Sequence, residues 1–138
     1  MKKVLVDTNI WSTLLRRSSE DDIVIRKNIE ALISENRLAI IGPIRQEVLS
    51  GIKDERKFHI LKSHLASFED ETIDTSDYEN AAKVFNDCRA KGITASAIDS
   101  LIVAVIQKNA FEIYTKDKDF DEYNKVVKIH KYKERKTA

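Results

Sequence analysis

Three short apolar runs, each stopped by polar residues, constrain this chain more than any other feature. Val4-Leu5-Val6 ends at Asp7-Thr8-Asn9, Leu38-Ala39-Ile40-Ile41 at Gly42-Pro43, and Phe111-Glu112-Ile113-Tyr114-Thr115 at Lys116-Asp117. Largely apolar runs of this length, without clear alternation, predict strands buried on both faces, as in a parallel sheet. Val126-Val127-Lys128-Ile129 is a weaker fourth candidate. Parallel neighbours need crossover connections, so the segments between the runs are expected to be helical.

They carry that pattern. Asp22 to Asn36 places Ile25, Ile29, Leu32 and Ile33 on one helical face, and Pro43 suits the first position of a helix carrying Ile44, Glu47, Val48 and Ile52. Glu55 to Phe68 aligns Phe58, Leu61 and Leu65, and Ser76 to Lys91 aligns Tyr78, Ala81, Ala82 and Phe85 before a stop at Gly92. Ser96 to Asn109 is the most apolar helix, with Ile98, Leu101, Ile102, Val105 and Ile106. Strands alternating with helices predict an α/β fold with a mainly parallel sheet.

At 138 residues the chain is expected to form one domain over 1–138, with a core large enough to need no disulfide or structural metal. The basic stretch from Lys128, above all about 130–138, is expected to fray. The net charge is +1, so attraction for a polyanion must come from local placement of charge. Cys88 is the sole cysteine, and His59, His64 and His130 lack zinc-like spacing, which points to a reducing cytoplasm and away from a zinc site. The start of the chain has too few apolar residues for a signal-peptide core, and no run approaches membrane-spanning length.

The acids fall where an open parallel sheet binds ligands, outside the carboxyl ends of its strands. Asp7 follows the first strand, Glu47 lies in the second turn of the helix after the second, Asp99 is in the first turn of its helix, and Asp117 follows the third strand. Carboxylates gathered there would repel one another and take up protons unless a cation entered. Magnesium and manganese prefer oxygen donors, and phosphodiester hydrolysis uses such an ion to activate water and steady the leaving oxygen. Each acid also has a structural reading. Asp7 with Thr8 and Asn9 fits a helix cap, Ser96 and Asp99 resemble a capping box, Glu47 alone reads as a solvated helix residue, and Asp117 with Asp119 as a polar turn. Asp99, however, shares a face with Ile102, Val103 and Ile106, a costly place for an unpaired charge.

Taken together, these segments resemble the PIN-domain family, and within it the VapC-type ribonuclease toxins of type II toxin-antitoxin pairs. VLVDTNIWSTLL resembles the family's first motif, IGPIRQEVLSGI the second, and GITASAIDSLIVAVIQKNAFEIYTKDKDF the third and fourth, ending in a T-x-D-x-D-F element at Thr115 to Phe120. The resemblance implies a PIN-like three-layer sandwich. It also implies an endoribonuclease dependent on Mg2+ or Mn2+, held in check by a small cognate antitoxin and usually homodimeric. Carried over, it implies Asp7, Glu47, Asp99 and Asp117 as the catalytic acids, with Asp7, Asp99 and Asp117 holding the metal; the family pattern leaves open whether Asp117 or Asp119 is the closer fourth acid, and position favours Asp117. Asn9, Thr115 and Asp119 then support those carboxylates from behind. Two departures concern packing: Asn109-Ala110 replaces a frequent glycine turn, and Val105-Ile106 is bulkier than the usual alanines.

In this reading Glu47 positions or deprotonates the attacking water. Arg16, Arg17, Arg45, Lys116 and Lys118 are candidates to meet an RNA backbone, as are Lys128, Lys131, Lys133, Arg135 and Lys136, with surface solvation as the plainer role for many of them. Trp11, Leu14 and Leu15 are assigned mainly to the domain's own core, with a partner surface as the alternative. A phospho-accepting receiver domain also gathers acids and magnesium at a sheet edge, but it needs adjacent acids after the first strand. A haloacid-dehalogenase-like phosphatase needs D-x-D where this chain has Asp7-Thr8-Asn9. A catalytically silent RNA-binding module is the third alternative.

Overall fold

The computed structural model describes residues 1–14 and 20–136. Leu15, Arg16 and Arg17 lie outside the described residues. The elements run in the order β1 (Val4–Val6), α1 (Thr8–Leu14), α2 (Glu20–Ser34), β2 (Leu38–Ala39), α3 (Gly42–Ser50), α4 (Glu55–Leu65), α5 (Thr75–Ala90), α6 (Ala97–Asn109), β3 (Glu112–Tyr114) and α7 (Asp119–Tyr123). The strands form a parallel sheet in the order β2-β1-β3, with Leu5 opposite Ala39 on one side and Ile113 on the other.

Successive side chains on a strand point to opposite faces, so a fully buried strand requires cover on both. Val4, Leu5 and Val6 are all 0% exposed, which makes β1 the centre of an α/β sandwich. α5 packs on α6, while α1 packs against α2 and α3. One apolar cluster joins these layers, and Tyr114, Phe120 and Tyr123 are among its largest fully buried side chains. Trp11 belongs to it, with its indole Nε1 donating to Val6 O at 3.2 Å and its ring 6.1 Å from that of Phe68.

Helix starts follow local chemistry. Pro43 opens α3, where a missing N–H costs nothing. Asp74 and Asp77 form a reciprocal capping box at α5, and Ser96 Oγ accepts from Asp99 N at the start of α6.

Three local expectations change. Val126 to Ile129 is not a strand: a turn continues from α7, and the chain meets β3 only at an isolated parallel bridge between Ile113 and Lys131. The other edge is extended similarly by a bridge between Ile40 and Asp70. α4 ends at Leu65, short of Phe68. The basic end of the chain, expected to fray, is docked as far as 136: Tyr132 OH and Arg135 N both donate to Asn28 Oδ1, at 2.6 and 2.8 Å, and Arg135 pairs with Glu35. Its buried Ile129 and Tyr132 give this segment apolar anchors that its charge content conceals.

α6 ends at Ala110 in the left-handed region, φ 56° and ψ 39°. An L-residue with a Cβ is disfavoured there by about 1–2 kcal/mol, and glycine is not. Ala110→Gly is therefore expected to raise the unfolding free energy by about 0.5–1 kcal/mol after its extra unfolded-state entropy is deducted. A urea midpoint that moves up confirms this, and one that moves down shows that the Ala110 methyl contributes packing larger than the strain.

Candidate metal centre at the carboxyl edge of the sheet

Asp7 leaves β1 still paired to β3, its N–H donating to Tyr114 O at 3.0 Å. Its carboxylate is fixed from three directions. Thr8 N donates to Oδ1 at 2.8 Å, while Thr115 Oγ at 2.8 Å and Asn9 Nδ2 at 3.1 Å both donate to Oδ2. The Thr115 hydroxyl uses its full capacity, because it also accepts from Asn9 Nδ2 and from Asp117 N, both at 3.0 Å. Asn9 is oriented without ambiguity: its Oδ1 accepts from Lys116 N at 2.9 Å, so its amide must face Asp7. The polar stop of the first strand is thus stitched to that of the third.

Asp7 is only 7% exposed. Burial pushes its pKa up, the Thr115 and Thr8 hydrogen bonds pull against this, and the negative charges of Asp117 and Glu47 add to the rise. Hydrogen bonds to a charged acceptor are worth about 1.5–3 kcal/mol each. Even so, they do not outweigh desolvation and like-charge crowding together.

Asp99 is half-buried in the first turn of α6. The capping reading holds for its backbone only: Ser96 receives Asp99 N, but the Asp99 carboxylate does not return to the Ser96 N–H. The contrast is Asp77, whose Oδ2 accepts from Asp74 N and from Lys108 Nζ, a structural use of the same residue type. Asp99 Oδ2 instead accepts from Tyr123 OH at 2.6 Å. Burial raises the Asp99 pKa, the Tyr123 hydrogen bond lowers it, and the charges of Asp7, Asp117 and Asp119 raise it again.

Carboxylate oxygens of Asp99, Asp117 and Asp119 lie within 4.8 Å of one another. Asp119, read from sequence as an outer support, therefore stands with Asp99 and Asp117 in the cluster itself. Asp119 N donates to Asp117 Oδ1 at 2.9 Å, which holds the loop that carries both. Asp7 and Glu47 complete the surroundings. Asp7 is tied to Asp117 through Thr115, and Glu47 is exposed on α3 yet close enough for its charge to act on Asp7. An all-oxygen, strongly negative set of this kind fits a hard divalent cation and not a thiophilic one.

Two features differ from the sequence reading. Arg45 is committed to structure: its guanidinium bonds Asp70 Oδ1, Leu65 O and Phe68 O, and is thereby spent on holding α3 to the loop after α4. Lys116 is paired with Glu134 at 2.7 Å, and Lys131 with Asp121 at 3.0 Å. Tyr123 was not foreseen as part of the site because five-residue α7 is too short to show a period. The aromatic pair Phe120 and Tyr123, three apart behind Asp119, was the available signal; their rings meet edge to face at 5.2 Å.

Comparison with known proteins agrees with this architecture. No curated protein sequence matches the chain. Among solved structures, the DNA-bound VapBC from Salmonella typhimurium superposes with a TM-score of 0.76 at 18% identity, covering 96% of this chain and 98% of that one. VapBC2 from Rickettsia felis, bound to a promoter DNA fragment, gives a TM-score of 0.75 at 16% identity over 94% and 96%. A toxin-antitoxin complex from Klebsiella pneumoniae gives a TM-score of 0.64 at 22% identity over 86% and 90%. At these identities the likeness is one of fold. The PIN domain sequence profile matches residues 4–126, most of the chain and every acid of the site, and the chain therefore belongs to the PIN domain family.

Proposed function

We propose that this protein is an endoribonuclease dependent on Mg2+ or Mn2+, the toxin of a toxin-antitoxin pair, acting in the cytoplasm as a homodimer checked by a small cognate antitoxin. The observation that carries the reading is the meeting of Asp99, Asp117 and Asp119 oxygens within 4.8 Å, with the charges of Asp7 and Glu47 bearing on the same edge. Family membership supports nuclease chemistry, and the toxin-antitoxin complexes among the structural neighbours support the partner. Among the described residues no helix is long and apolar enough to cross a membrane.

In this proposal Asp99, Asp117 and Asp119 would hold the cation, and Asp7, read from sequence as a direct ligand but outside that group of oxygens, supplies further negative charge beside it. When bound, the cation supplies charge neutralisation for the scissile phosphate and acidification of water. Glu47, the most exposed and least constrained of the catalytic acids, takes the proton from the attacking water on its carboxylate. Thr115 and Asn9 keep Asp7 in one orientation, so its charge is in place before substrate arrives. Asp99 and Asp117 are half-buried while Glu47 and Asp119 are exposed, so the site stands at an open edge that a polymer backbone can reach. Lys118, exposed between Asp117 and Asp119, is placed to meet phosphates.

The purified chain is expected to cut single-stranded and structured RNA in magnesium, to stop in EDTA, and to recover when Mg2+ or Mn2+ is restored. Sequencing RNA ends after brief induced expression identifies the target, and a short upstream frame encoding a DNA-binding protein supplies the antitoxin, whose co-expression is expected to suppress cleavage. Tight RNA binding with no metal-dependent cutting would instead identify a silent binding module.

A further inference from the structure

We infer that Tyr123 is a positioning residue for Asp99 that biases the acidic cluster towards small octahedral cations and against calcium; the inference rests on the metal site proposed above. Tyr123 is 2% exposed and pressed edge to face against Phe120, which is 0% exposed, so the phenol is held by packing from α7. Its hydroxyl donates to Asp99 Oδ2 at 2.6 Å, within the range of a charge-assisted bond. The backbone of Asp99 is pinned independently by Ser96 Oγ at 3.0 Å. Main chain and carboxylate are therefore each fixed by a separate element, one by the α6 cap and the other by α7.

A carboxylate with one oxygen engaged by a hydroxyl is poorly disposed to chelate through both. Calcium accepts six to eight oxygens and often takes a carboxylate through both of them, whereas magnesium demands near-octahedral geometry and usually one oxygen per carboxylate. The hydroxyl also orients Asp99 against the repulsion of Asp117 and Asp119, lowering the cost of assembling three acids around a small ion. Removing it frees the carboxylate to rotate. Small-ion binding then weakens, while calcium gains a second oxygen.

The test is Tyr123→Phe, which keeps the buried ring and removes only the hydroxyl. Calorimetric titration of the full chain with Mg2+, Mn2+ and Ca2+ separately is expected to show Mg2+ affinity reduced about tenfold, in the range typical of lost outer hydrogen bonds to metal ligands. Ca2+ affinity is expected to hold or rise, so the Mg2+ to Ca2+ preference falls. RNA cleavage by the variant is expected to be slow at limiting magnesium and to recover at saturating magnesium with an unchanged KM for RNA. Equal loss of Mg2+ and Ca2+ affinity, no change in either, or a kcat defect that saturating magnesium does not repair would each overturn the role given to Tyr123. Failure of the wild-type chain to bind any of the three ions would overturn the metal site itself, and this inference with it.

Discussion

Asp7→Asn is expected to give a folded protein whose magnesium-dependent RNA cleavage falls by about a hundredfold or more. The substitution keeps the shape of the side chain and removes its charge. An asparagine Oδ1 still accepts from Thr115 Oγ and Asn9 Nδ2, so the stitch between the ends of β1 and β3 persists. Its amide nitrogen then faces the Thr8 N–H, a donor against a donor. That contact costs about 1–3 kcal/mol, offset in part because a crowded, buried charge is gone. Circular dichroism and thermal melting check the fold, and labelled RNA in magnesium checks the rate. A folded variant with undiminished cleavage contradicts the role given to Asp7.

The second large effect is opposite in sign for stability and for metal response. Asp99 and Asp7 both have folded-state pKa values raised above the ordinary aspartate value of 3.8, chiefly by burial. The folded chain thus binds more protons than the unfolded chain in the window above pH 3.8, and metal-free stability falls as pH rises through it. Asp99→Asn removes one such charge and keeps an acceptor for Tyr123 OH, so the metal-free variant is expected to melt higher than the wild type. Magnesium at a hundredfold excess over its Kd stabilises a binding-competent fold by about 2.7 kcal/mol, and the variant is expected to show almost none of that gain. Melting curves with and without magnesium measure both. A variant whose midpoint rises with magnesium as much as that of the wild type contradicts the placement of Asp99.

Glu35 acts in the other direction and belongs to a different pH window. Arg135 and Arg37 hold its carboxyl down at about 2 from 4.5, so its contribution is present at neutral pH and is lost as pH falls through that interval. The loss of stability towards acid pH thus includes the docked end of the chain, while the fall in metal-free stability as pH rises above it reports the acidic cluster.

What could be read in the sequence was what is written locally. Val4 to Val6 followed by Asp7 describes a buried strand and its polar exit in four residues, and Pro43 or Ser96 marks a helix start without help from elsewhere. The acids were legible because each sits beside such a marker. Roles decided by distant partners were not legible. Arg45 has the composition of a phosphate contact, yet Asp70 and two carbonyls from the end of α4 and the loop beyond it claim it. Lys131, in a run of charge, bridges to Ile113 because β3 leaves an edge unpaired there. Asp119 looks like one more turn residue until Asp117 fixes the loop that brings it to Asp99. Asp77 and Asp99 share a residue type and an N-terminal helical position, and only the arrival of Lys108 at one and Tyr123 at the other separates a structural acid from a candidate ligand.

The central claim is that acids far apart in the chain assemble one cation site at the carboxyl edge of the sheet. Its most direct test is the manganese anomalous signal in crystals grown with that ion. The account predicts a peak bounded by the Asp99, Asp117 and Asp119 carboxylates, on the side facing Asp7. Crystals saturated with manganese that show no peak there, or show their manganese only at other acids, would contradict it.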